Sequence, residues 1–163
     1  MQPISARLVE EIWMNMSETL PDEAPTIIKQ LEKEQPVILV YLMAVGSDIL
    51  NKDERELLLY LGIVVWKIMT QSQKPIRHIS DEKVDEIEAT NMKMLEYLEG
   101  EPEWDFDETV RLIIENYNQV EVLKYVIEAL MEELDEGETD IREENLGLMM
   151  IYLKTVIDCF DLD

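Results

Sequence analysis

One segment of this chain occurs twice. Gln35-Pro36-Val37-Ile38-Leu39-Val40-Tyr41-Leu42-Met43 is echoed by Gln119-Val120-Glu121-Val122-Leu123-Lys124-Tyr125-Val126-Ile127, with Gln, Leu and Tyr in identical places. An apolar helix opened by a capping signal follows each copy, at Asn51-Lys52-Asp53-Glu54 and at Asp140-Ile141-Arg142-Glu143. In such a box the first side chain caps the helix while the acid three residues on reaches back to the first residue's N–H. The echo predicts one all-α domain over 1–163, built as two pseudo-symmetric four-helix halves, 1–72 and 81–163, with a polar linker over 71–80. A short acidic insertion at 135–139 must be allowed before the last helix for the halves to align.

Composition agrees with helices: only 5 Gly and 6 Pro, and 47% hydrophobic residues, too many for disorder despite 31% charged ones. Apolar periodicity divides the chain into eight helices, at about 4–16, 23–33, 36–45, 57–69, 80–99, 108–117, 119–134 and 140–157. Leu20-Pro21-Asp22 is expected to separate the first two. The third is apolar on every side, which predicts burial all round, either centrally or against a second copy in a homodimer. Gly62, inside the fourth, would let a neighbour approach closely. The resulting architecture is a compact helical bundle, or a helical-repeat-like domain.

The formal net charge is −23. A chain so acidic repels phosphate backbones and anionic lipid, which argues against nucleic-acid and membrane partners. The longest apolar runs, 37–45 and 57–66, are too short to span a bilayer. Met1-Gln2-Pro3 leads into an amphipathic segment without a signal-peptide pattern, so a cytoplasmic protein is expected. Cys159 is the sole cysteine, which excludes an internal disulfide and a cysteine-rich zinc site.

No motif for chemistry stands out, and no cofactor is expected. His78 is the sole histidine and lies in the linker, so the paired Glu-x-x-His ligands of diiron bundles are absent. Helical nucleotide pyrophosphatases clamp magnesium with Glu-Glu-x-x-Glu on one helix and Glu-x-x-Asp on the next. Glu132-Glu133-Leu134-Asp135-Glu136 satisfies the first half, but Gly147 stands where the second needs its aspartate. Cys159, on an apolar helix, reads as a structural thiol.

The leading expectation is therefore a non-catalytic acidic module for protein interaction, with a basic protein as partner. Its surface is expected in the loop holding Trp104 and Asp105, at Asp107, and at Glu136 and Glu138 beside the insertion. Tyr41 and Tyr125, equivalent within the echo, are candidates to line a pocket. Gln35 and Gln119 are read as hydrogen-bonding a helix end or turn. The alternative is a carboxylate-dependent magnesium or manganese hydrolase, or a helical bundle that binds a small ligand.

Overall fold

The computed structural model describes residues 1–71, 76–100, 106–136 and 138–162, with the backbone alone at 106, 107 and 109. The described residues form seven α-helices: α1 (Ala6–Glu34), α2 (Pro36–Ala44), α3 (Lys52–Gln71), α4 (Asp81–Glu99), α5 (Phe106–Ile114), α6 (Val120–Glu136) and α7 (Leu146–Phe160). A 3-10 turn, Glu143–Asn145, leads into α7. No strand occurs among them.

The expected break at Pro21 does not form. Residues 6–34 make one helix of 29 residues, about 43 Å long at 1.5 Å per residue. Its buried residues Val9, Met16, Leu20, Ile27 and Leu31 advance in steps of seven and four, so the apolar stripe stays in phase through both prolines. Pro21 and Pro25 are exposed, as is Ser17, so the backbone carbonyls they leave without an N–H face solvent. Core burial on one face therefore overrides the local cost of proline on the other.

α3 and α7 pack together at the centre. α1 and α2 cover α3, while α4 and α6 cover α7, and α1 also meets α6. Both central helices are apolar over most of their circumference; α7 buries every residue from Met149 to Ile157. α2 behaves differently from expectation. It buries Ile38, Leu39 and Leu42 but leaves Val40 and Met43 exposed, because it lies on the outside of α3. Gly62 makes that contact close: a Cβ there would sit 2.4 Å from Leu42 Cδ2.

The two predicted capping boxes diverge. Asn51 Oδ1 accepts from the Glu54 N–H at 2.9 Å, and Glu54 Oε1 accepts from the Asn51 N–H at 2.9 Å, a reciprocal box at the start of α3. Asp140 and Glu143 form no such box. The segment instead docks on the first one: the Asp140 N–H donates to Asp53 Oδ2, and the Arg142 N–H to Glu54 Oε2. The helix starts late, at Leu146, because Asn145 also turns inward to Glu54.

Candidate functional site

The two echoed glutamines do the same work at long range. Gln35, buried, accepts from the Ile79 N–H at 2.9 Å and donates to the Arg77 carbonyl at 3.0 Å. Gln119, also buried, accepts from the Ile4 N–H at 3.0 Å and donates to the Gln2 carbonyl at 3.1 Å. Each amide thus replaces a missing backbone partner for an extended segment that enters a serine-capped helix. Ser80 accepts from the Lys83 N–H at the start of α4, and Ser5 from the Leu8 N–H at the start of α1. The described part of the expected linker, 76–80, is accordingly pinned to the core.

The echoed tyrosines separate. Tyr41, on α2, meets the Tyr152 ring edge-on at 6.4 Å. Its buried hydroxyl faces Glu88 and Thr155 and closes a hydrogen bond with neither; burial, with Glu88 next, raises its pKa. Tyr125, on α6, packs against Trp13 of α1, with ring centroids 6.1 Å apart and planes tilted by 54°. Tyr125 lines a groove of about 380 Å³ between α1 and α6; Tyr41 does not.

That groove is the site of greatest chemical interest. Ala6, Val9 and Ala129 lie in it beside the two aromatic rings, and Glu10, Glu121, Lys124, Glu128 and Glu132 ring it. Positions 121, 125, 128 and 132, and then Glu136, recur at helical spacing and share one face of α6. Lys124 lies 3.8 Å from Glu121 and pairs with it. Glu10, Glu128 and Glu132 have no cation within ion-pair distance among the described residues. Towards the end of α6, partial desolvation and the charges of Glu132, Glu133 and Glu138 raise the pKa of Glu136. The carboxylates there also face the negative pole of the helix, which adds to their mutual repulsion.

No protein-family model, curated protein or solved structure matches this chain.

Of the expected surface residues, Glu136 and Glu138 are exposed at and just beyond the end of α6, continuous with the acidic stripe. Trp104 and Asp105 lie outside the described residues, and of Asp107 only the backbone, in α5, is described. Trp13 falls at an apolar position of the helical spacing in α1, and its partner Tyr125 is visible only once α1 and α6 meet.

A second cluster was also missed. Lys154 on α7 is buried and donates to Asn91 Oδ1 and Asp158 Oδ2, each at 2.8 Å. Asn91 Nδ2 donates to Thr155 Oγ1 and Asp158 Oδ2, and the Tyr117 hydroxyl donates to Asp158 Oδ1 at 2.5 Å. With its charge paired and its hydrogen bonds made, this network holds α4 and the segment before α6 onto α7. Burial first, and then Asp158, pushes the neighbouring Cys159 thiol up to about 12, so it stays protonated at neutral pH.

No group of three His, Cys, Asp or Glu placed to hold a metal ion occurs among the described residues. Glu144 sits in the 3-10 turn and Gly147 in the first turn of α7, so the carboxylate motif of α6 has no aspartate facing it from that position. No described helix is long and apolar enough to cross a membrane.

Proposed function

We propose that this chain is a non-catalytic interaction module whose acidic α6 face receives a basic protein partner. The observation that carries this reading is the stripe of Glu128, Glu132 and Glu136 on one helix face, none of them in an ion pair among the described residues, while Lys124, the one cation lining the groove beside them, pairs with Glu121. Unpaired like charges on one face destabilise the free protein, and a basic surface relieves that repulsion on binding. Affinity capture at low salt with three proteins tests it: wild type, a Glu128→Gln/Glu132→Gln/Glu136→Gln variant, and a Glu18→Gln/Glu23→Gln/Glu32→Gln control of equal charge. Basic proteins should be held by wild type and control and lost from the α6 variant. Partners that are neutral and indifferent to salt would refute the reading.

The matching glutamine clamps also favour an origin by duplication of a four-helix unit, with α1 standing for the first two helices of one half. Self-association is a separate reading. It is favoured by α2, which carries no charged residue and exposes Val40 and Met43. Light scattering on wild type and a Val40→Glu/Met43→Glu variant tests it; a monomer at every concentration would end it.

A further inference from the structure

The stripe on α6 explains attraction to any basic surface, but the groove beside it is more selective. Its aromatic corner and its unpaired acids converge: Trp13 and Tyr125 stand 6.1 Å apart at 54°, with Glu10, Glu128 and Glu132 around them, and the one lining cation, Lys124, is drawn to Glu121. The Tyr125 hydroxyl is buried, so an incoming group meets the ring rather than the phenol oxygen. The lining, four carboxylates against one lysine, favours an occupant that is cationic and also prefers an aromatic surface to water. A volume of about 380 Å³ lies within the range of sites that enclose a small group.

A guanidinium meets both demands. It is planar, it is more weakly hydrated than an ammonium, and it stacks on aromatic faces while offering in-plane N–H donors to carboxylates. Lysine offers the same charge but a compact, strongly hydrated head that gains less from the rings.

We propose that the groove between α1 and α6 seats an arginine side chain of the basic partner, against Trp13 and Tyr125 and between Glu10, Glu128 and Glu132. This rests on the reading of the chain as a module for a basic protein, and one experiment separates the two ideas. An arginine-rich peptide and its all-lysine counterpart, equal in length and charge, are titrated calorimetrically into the full chain. The arginine peptide should bind about fivefold tighter, the scale of a guanidinium–aromatic contact. That preference should disappear in Trp13→Leu and in Glu10→Gln/Glu128→Gln, the latter confined to exposed positions that leave the core intact.

Equal affinity for the two peptides overturns the groove while leaving the basic-partner reading standing. An arginine preference that survives both variants overturns it equally, by placing the selectivity elsewhere. Binding of neither peptide overturns both.

Discussion

Glu54 Oε1 lies 2.7 Å from Arg142 Nη2, and this pair joins the first turn of α3 to the segment that enters α7. The Glu54 side chain is fully buried while that of Arg142 is 39% exposed. The carboxylate also accepts from the backbone N–H groups of Asn51 and Arg142 and from Asn145 Nδ2. The two central helices are thus tied at one end through a single acid.

Glu54→Gln should destabilise the fold by roughly 2–4 kcal/mol, because buried donors lose a charged acceptor. Burial alone would raise the Glu54 pKa, but hydrogen bonds from Arg142, Asn51 and Asn145 hold it below the ordinary 4.5. The unfolded chain therefore takes up this proton first. The contribution of Glu54 is complete above about pH 4.5 and is lost as pH falls through its depressed folded value. Urea unfolding at pH 7 and pH 4 should show a smaller acid-side loss in the variant than in wild type.

At the alkaline end the sign reverses. Burial raises the pKa of Tyr41, Tyr117 and Tyr125, and to a smaller degree Tyr60 and Tyr152, above the ordinary 10.0. The unfolded chain loses these protons while the folded one keeps them, so stability should fall as pH rises past about 10. Tyr117→Phe should flatten that slope, measured by chemical denaturation between pH 8 and 11, since it removes one of the buried phenols.

Gln119→Ala leaves the buried Ile4 N–H without its acceptor, and Gln35→Ala does the same to Ile79. Each should cost about 1–3 kcal/mol. Hydrogen exchange reads the effect locally: the Ile4 amide should exchange faster in the first variant and the Ile79 amide in the second. Equal protection in both would show that the clamps do not hold these segments.

Gly62→Ala should lower stability by about 1 kcal/mol, although alanine favours a helix by about that amount, because overpacking of this kind costs more. The new Cβ would meet three atoms of the buried Leu42 side chain, the nearest at 2.4 Å. Pairing it with Leu42→Ala, which opens the space, should recover part of the loss in thermal denaturation.

Added salt should raise the melting temperature, since a net charge of −23 repels itself and screening weakens that repulsion. The Glu128→Gln/Glu132→Gln/Glu136→Gln variant should melt higher at low salt and respond less to NaCl.

Much of the fold is legible from local pattern. The apolar run of α3, its capping box at Asn51 and Glu54, and the serine start of α4 follow from spacing and cap chemistry that act within one helix turn. The continuity of α1 was legible too, in the phase of Val9, Met16, Leu20, Ile27 and Leu31, but two prolines outweighed it in a local reading. An acidic, all-helical chain follows from the residue order alone, because periodicity, caps and charge are properties of neighbouring residues. That Asp140 to Asn145 serve the Glu54 box instead of forming a second one depends on long-range packing. The same packing brings Trp13 and Tyr125 together in a groove rimmed mainly by acids. The physical reason is common to both: these partners stand about ninety to more than a hundred residues apart in the chain, and which of them meet is set by how α1, α3, α6 and α7 share one buried surface.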